Sequence, residues 1–357
     1  MRTLLIATLF AALAGCTDGG SAEPTATDTG ANPIDAIMSD YTGNVPGAAV
    51  LVLRDGEPLV RRGYGLADVE AGVPVTPDTN FRLASVSKAF TAATVLLLVE
   101  DGVVGLDDPV RKWLPSLPEA ADAVTVHHLL AHTSGLIDYE DVMPEGLDRQ
   151  VRDADVLTIL EGQDRLYFEP GTQYRYSNSA YALLTQIVEH ATGERYADVL
   201  RARLFNPLDM DNSVAFEDGI STVANRAFGH SQAGESWTRT DQSPTSAVLG
   251  DGGIYSSLDD MAKWDAALYD DRLLSDASRA LAFSDQTGVP VDEDNVDAYG
   301  YGWRLDGERI WHSGETIGFR NVIIRDPGQR LTVLVLTNRN APRPYPLARR
   351  IMDEFSR

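Results

Sequence analysis

Cysteine is nearly absent from this chain: there is one, Cys16, in 357 residues. A single thiol closes no internal disulfide, so the folded part must be held by its core. Lysine is almost as scarce, at three residues against 27 arginines. Arginine does not give up its proton and lysine can, so each lysine is a candidate for proton chemistry. Positive charge as a whole is short, with 30 basic against 53 acidic residues and a net charge of −23. That balance argues against nucleic acid as a partner and against adhesion to anionic lipid through a basic patch. Apolar runs of about 20 residues, the length of a membrane span, are missing too. There is no Gly-x-Ser-x-Gly, which argues against the nucleophile elbow of an α/β-hydrolase, and no internal repeat.

What is present is an ordinary globular composition, 43% hydrophobic and 23% charged, on a chain long enough for one large or two interlocked domains. Residues 1–16 read as an export signal: Arg2, the apolar run Leu4 to Leu13, then Leu13-Ala-Gly-Cys16. The position of Cys16 resembles the lipobox of bacterial lipoproteins. That resemblance implies an exported protein, lipidated at Cys16 and held at the cell envelope without a spanning helix. Residues 17–32 have the composition of a flexible tether, and a folded domain is expected over 33–357.

Along that domain, Ala48 to Tyr64 reads as two strands around Arg54-Asp-Gly-Glu57. Helical spacing marks Val124 to His132, Asp153 to Glu161, Ser179 to Ala191, Tyr196 to Leu204 and Leu258 to Leu268, the last preceded by a flexible Gly250-Asp-Gly-Gly253. Strands return at Tyr299 to Leu305, Arg309 to His312, Gly318 to Arg325 and Leu331 to Thr337, before a closing helix from Pro346 to Phe355. The expected class is α+β: an antiparallel sheet built from both chain ends (about 33–84 and 298–357) with flanking helices, plus an inserted helical domain (about 85–297). The cleft between the parts is where a site is expected.

Three stretches carry chemistry. In Phe81 to Glu100 an apolar helix begins near Ser85, and Lys88 follows three residues later on the same face. The helix start favours negative charge on the serine. The apolar setting strips water from the lysine and so disfavours its charged form. Together these read as an activated nucleophile with an adjacent base, the alternative being a capping serine and a surface lysine. Tyr176-Ser-Asn178 precedes a helix, where phenol and amide can face one cavity, although packing and capping explain such a pair equally well. His312-Ser-Gly314 ends a strand, with a glycine that admits close approach to the backbone. His128 and His132 stand at metal-ligand spacing, but no glutamate follows His128, and no metal or cofactor is read from them.

In order, Ser85-x-x-Lys88, Tyr176-x-Asn178 and His312-x-Gly314 resemble the three motifs of the serine β-lactamase and penicillin-binding superfamily. Leu129-Leu-Ala-His-Thr-Ser-Gly-Leu136 and Gly252-Gly-Ile-Tyr-Ser-Ser257 place the likeness in the class C β-lactamase and D,D-peptidase branch. The resemblance implies acylation of Ser85, proton work by Lys88 and Tyr176, and substrate orientation by Asn178, His312 and Gly314. It also implies an oxyanion hole from the backbone N–H groups of Ser85 and Glu315. Two departures point away from anionic β-lactams: a neutral histidine at 312 where most β-lactamases carry lysine, and the charge of Glu315. The expected activity is hydrolysis of a small-molecule or peptide-like ester or amide through an acyl-enzyme, as an esterase or D-amino-acid peptidase. The alternatives are a true β-lactamase or a non-turnover penicillin-sensing envelope lipoprotein. The irregular segments 138–150 and 283–297 are expected to shape the substrate cleft.

Overall fold

The computed structural model describes residues 33–356, so the expected export signal, the expected tether and Cys16 lie outside the described residues. Seven antiparallel strands form the main sheet: β1 (Ala48–Arg54), β2 (Glu57–Tyr64), β3 (Ala298–Tyr299), β4 (Arg304–Asp306), β5 (Arg309–Thr316), β6 (Phe319–Asp326) and β7 (Leu331–Thr337). Their spatial order is β3-β4-β5-β6-β7-β1-β2, so β1 pairs with β7 and the two ends of the chain close one sheet.

Alternation along the central strands explains the layering. On β1, Ala49, Leu51 and Leu53 face one core, whereas Ala48, Val50 and Val52 face another. The first core is shared with the helical body. The second is covered by the terminal helices, through Ile34 and Met38 at one end and Ala348, Ile351 and Met352 at the other. A strand buried on both faces reads as a continuous apolar run, as Leu331–Thr337 does.

The helical body is organised on α1 (Ser87–Glu100), whose residues from Ser87 to Leu98 are all buried. Around it lie α2 (Val126–Leu130), α3 (Asp153–Glu161), α4 (Asn178–Thr192), α5 (Leu249–Gly252) and α6 (Leu258–Ala267). Trp264 of α6 stacks on Phe90 of α1 at 4.4 Å between ring centres.

Several expectations need correction. The strand expected over 299–305 is two strands, β3 and β4, paired through Tyr299↔Arg304. The turn between them packs on α1: Gly302 has φ +81°, and a Cβ there would meet the Lys88 carbonyl oxygen at 2.9 Å. The segment 250–253, expected to be flexible, is instead largely the buried helical turn α5. Its amides at Leu249 and Gly250 donate to the Asp153 carboxylate, at 2.8 and 3.1 Å, and Thr91 Oγ1 donates to the Gly250 carbonyl. The helix expected over 196–204 is α-helical only at Tyr196–Leu200 and widens into a π turn at Arg201–Phe205. Sequence periodicity also missed a second, three-stranded sheet that joins the two parts, formed by Phe81–Arg82, Ile254–Ser256 and Val214–Ala215. That small sheet anchors the segment leading to Ser85: the Leu83 amide donates to the Ile254 carbonyl at 2.8 Å, and Asn321 of β6 donates to the Arg82 carbonyl at 2.8 Å.

Candidate active site

The chain enters α1 through a tight turn at Ala84–Val86, which carries Ser85. Ala84 has φ +50°, a left-handed conformation that costs a residue with a Cβ about 1–2 kcal/mol. Strain of this kind is kept only where the surroundings enforce it. Here the enforcing neighbour is β5: a Cβ on Gly314 would sit 2.0 Å from the Leu83 carbonyl oxygen. Gly314 therefore admits the chain's own Leu83–Ala84 backbone, where the sequence suggested close approach by a ligand.

Lys88 lies one turn after Ser85 and is fully buried. Its Nζ donates to Ser85 Oγ at 3.2 Å, to Asn178 Oδ1 at 2.8 Å and to the Asp251 carbonyl at 3.0 Å. One ammonium-type group thus ties α1, α4 and α5 together. Asn178 is the first residue of α4, whose N-cap Ser177 accepts from the Ala180 amide. The Asn178 amide N–H donates to Asp138 at 2.7 Å, and its side-chain nitrogen donates to Glu140 Oε1 at 3.3 Å.

Tyr176 reaches the same place from the loop before α4. His132, the last residue of the His128–His132 pair, fixes that loop: its carbonyl accepts from Arg175 and its Nδ1 from Ser177, at 3.0 and 3.1 Å. Its ring packs 4.4 Å from the Tyr176 ring. Burial, aided by Lys88 and Arg304, pushes the His132 imidazole well below its usual range, so it is neutral. Lys88 Nζ is 4.9 Å from the centre of the Tyr176 ring. The Tyr176 hydroxyl oxygen is buried and has no hydrogen-bond partner among the described residues.

The strand side of the crevice comes from β3, β4 and β5. His312 is fully buried; Tyr299 Oη lies 3.1 Å from its Nε2, and the Arg304 guanidinium 3.3 Å from the same atom. Burial first, then the charges of Arg304 and Lys88, hold the His312 imidazole well below its usual range. It is neutral, in line with the expectation, but Arg304 places behind it a cation that the sequence reading missed. Arg304 is paired with Glu293 at 3.0 Å, from the irregular segment 283–297. Glu315 lines the cavity with Ser85. Its charge is offset by Arg320 and Arg343, each at 3.4 Å, so it adds less negative potential than its sequence position suggested.

The negative side of the crevice is elsewhere. Glu140, from the irregular segment 138–150, lines the small cavity of about 40 Å³ over Ser85, together with Asn178, Asp251, Thr245, Glu315 and Thr316. Burial, then the charge of Asp138, raises the Glu140 carboxyl above its usual range. Asp251 is buried more deeply, and burial pushes its carboxyl up to about 8. A larger depression of about 790 Å³, between α3 and the loop at Glu217–Asp218, contains none of the motif residues.

The structure therefore brings Ser85, Lys88, Tyr176, Asn178, His312, Gly314 and Glu315 to one crevice between the sheet and the helical body. A hydroxyl, an amine and a phenol gathered on this topology define a serine hydrolase of the acyl-enzyme type. Comparison with known proteins gives the family. Residues 34–355 match the model of the Beta-lactamase family, and the chain belongs to that family. It is 32% identical over 317 residues to penicillin-binding protein 4* of Bacillus subtilis, covering 83% of this chain and 69% of that one. It is likewise 32% identical to a D-aminopeptidase of Gluconobacter oxydans, covering 85% of this chain but only 58% of the relative. Among solved structures, the D-amino acid amidase of Ochrobactrum anthropi superposes with a TM-score of 0.78 at 28% identity, over 91% of this chain and 98% of that one. A penicillin-binding protein homologue of Pyrococcus abyssi gives a TM-score of 0.79 at 27% identity, over 90% and 75%.

Proposed function

We propose that the protein hydrolyses small amides or peptides that carry a free amine beside the scissile carbonyl, D-amino-acid amides being the favoured class. The observation that carries this reading is Glu140. Its carboxylate lines the cavity over Ser85 and takes its hydrogen bonds from neutral groups, the Asn178 amide and the Tyr139 hydroxyl. A substrate ammonium entering the crevice finds there a partly desolvated carboxylate, a setting in which charge-assisted hydrogen bonds are strong. The likeness to a D-aminopeptidase and a D-amino acid amidase supports the same substrate class.

In this mechanism Ser85 Oγ attacks the carbonyl carbon while its proton passes to the Lys88–Tyr176 pair. The backbone N–H groups of Ser85 and Glu315 hold the oxyanion, and loss of such a donor typically costs about 10²–10³ in rate. The C–N bond then breaks, the leaving amine takes the proton back, and an acyl-Ser85 ester remains. Water, deprotonated by the same pair, attacks that ester; the bond to Ser85 Oγ breaks, the pair returns the proton to Oγ, and the acid is released. Asn178 orients both the substrate and Lys88.

The test is hydrolysis of D-alanine p-nitroanilide beside its N-acetylated counterpart, the L-enantiomer, p-nitrophenyl butyrate and a chromogenic cephalosporin. The reading expects preference for the free-amine D-substrate, and a KM raised about tenfold by Glu140→Gln for that substrate alone. Equal handling of the acetylated compound overturns it. A second reading, recognition of β-lactams, is favoured by the Arg304 cation behind His312 and by the likeness to penicillin-binding protein 4*. A burst of cephalosporin acylation without turnover identifies that case.

We further propose that the protein is exported and anchored to the cell envelope through lipid on Cys16. Metabolic labelling with a palmitate analogue tests this: label on the wild type that is lost in Cys16→Ala supports it, and an unlabelled wild type overturns it.

A further inference from the structure

The Tyr139 hydroxyl faces two acids at once. Its oxygen is 3.2 Å from Asp251 Oδ2 and 3.4 Å from Glu140 Oε1. Burial, then the charges of Asp251, Glu140 and Asp138, hold the phenol far above its usual range, so it keeps its proton. One hydroxyl proton serves one acceptor. Two ionised carboxylates on either side of it would place like charges together: Asp251, which is buried, would hold its charge on one neutral donor, and Glu140, which is exposed, would be left to Asn178 and solvent. A proton on the buried acid removes both the like-charge contact and the buried charge, and leaves the Tyr139 hydroxyl free to serve Glu140.

Asp251 is the one placed to do so. It sits on α5, which Asp153 caps and Thr91 clamps, while Glu140 is open to the crevice. The charged and titratable groups that face Asp251 come from four other elements. They are Lys88 on α1, Asp153 on α3, Glu140 with Tyr139 on the 138–141 turn, and Arg82 on the strand before Ser85. Arg82 donates its hydrogen bonds to the Gly252 carbonyl and to Ser246. Lys88 donates to the main-chain oxygen of Asp251 itself.

We propose that Asp251 is a positioning residue that works as a neutral acid. It supplies the proton between itself and Tyr139, which frees the Tyr139 proton for Glu140. The anchored Glu140 then accepts from Asn178 Nδ2, which leaves Asn178 Oδ1 turned towards Lys88. Every donor in the chain Asp251, Tyr139, Glu140, Asn178, Lys88 meets an acceptor in this arrangement. Burial that lifts the carboxyl to about 8 agrees with the neutral form at pH 7. When Asp251 ionises, the Tyr139 proton turns to it and Glu140 and Asn178 lose their anchor. The step is a proton loss to solvent, with no other reactant.

The inference rests on Ser85 being the nucleophile but not on the substrate class, so its test uses a substrate-independent probe. The rate of phosphonylation of Ser85 by a fluorophosphonate is followed by intact mass from pH 6 to 9.5. Thermal melts are recorded alongside to confirm that each variant is folded. Wild type is expected to lose about tenfold in labelling rate over the upper part of that range. Asp251→Asn, which keeps the shape and the donor, is expected to keep the neutral-pH rate and lose the decline. Asp251→Ala is expected to be slowed about tenfold or more at every pH. An Asp251→Asn profile that superimposes on the wild type overturns the proposal, as does a wild-type rate that keeps rising with pH. A folded wild type that is not labelled at Ser85 overturns the nucleophile assignment, and the proposal with it. Labelling without D-amide hydrolysis overturns only the substrate class.

Discussion

The guanidinium carbon of Arg304 stands 4.8 Å from the centre of the Tyr176 ring. Lys88 Nζ lies 4.9 Å from the same centre, so the phenol is flanked by two cations. Negative charge that develops on the phenolic oxygen during proton transfer is stabilised by both. Arg304 is itself held by Glu293, and Glu293 also accepts from Tyr174 at 3.1 Å.

Replacing Arg304 by methionine keeps the length and removes the charge. A cation–aromatic contact is worth about 1–2 kcal/mol when desolvated. The acylation rate is therefore expected to fall about tenfold or more, with Arg304→Lys recovering part of it. Stopped-flow or mass-resolved acylation kinetics measure this; an unchanged rate in Arg304→Met separates Arg304 from the proton transfer.

Tyr176→Phe should divide activity from stability. The hydroxyl is buried and without a partner among the described residues, so its removal relieves a desolvation cost of about 1–3 kcal/mol. The thermal midpoint is expected to stay level or rise, while turnover falls about 10²–10⁴-fold with loss of an acid–base group. A fall in both together would make Tyr176 a packing residue.

Gly314→Ala should strike the nucleophile from a distance in sequence of more than 200 residues. The added methyl would sit 2.0 Å from the Leu83 carbonyl and 3.2 Å from Ala84 Cβ. Relief requires β5 or the Ser85 turn to shift. The expected cost is about 1–3 kcal/mol in stability with a disproportionate loss of acylation. A stable, fully active variant would show that the two segments move apart freely.

Asp251 also sets a pH dependence of stability. Its folded carboxyl titrates near 8, against an ordinary value of 3.8. Between those values unfolding releases its proton, so its contribution to stability declines as pH rises and levels off above about 8. Asp153, raised to about 6, acts in the same sense over a narrower window. Asp251→Asn removes only the first effect. Its unfolding free energy relative to wild type, from denaturant melts, is expected to climb from pH 5 to pH 8 by an amount on the order of a few kcal/mol. A constant difference across that range would place the Asp251 proton in solvent.

What could be read in advance follows from how local each signal is. The α3 helix, Asp153–Glu161, and the β7 strand, Leu331–Thr337, have the bounds their periodicity implied. Ser85 and Lys88 share a face because one turn separates them, which sequence spacing alone expresses. Tyr176, Asn178, His312 and Gly314 were legible only through family resemblance, because their meeting depends on the closure of the sheet by both chain ends. Arg304 was hidden by the Gly300–Trp303 turn, which looked like continuous strand. Glu140 and Asp251 were hidden for another reason. Each is a common acidic residue in a loop or a glycine-rich turn; Glu140 meets Asn178 across 38 residues, and Asp251 meets Tyr139 across 112 and Lys88 across 163. Charge pattern gives no sign of such contacts; the glycines at 300 and 302, spaced within a supposed strand, were a usable signal that went unread.

The most direct measurement is the mass of the intact protein after exposure to a fluorophosphonate, followed by peptide mapping. The account predicts a single adduct on Ser85 in the wild type and none in Ser85→Ala, with the two proteins melting within a few degrees of each other. An adduct on another residue, or an undiminished adduct in Ser85→Ala, would contradict it.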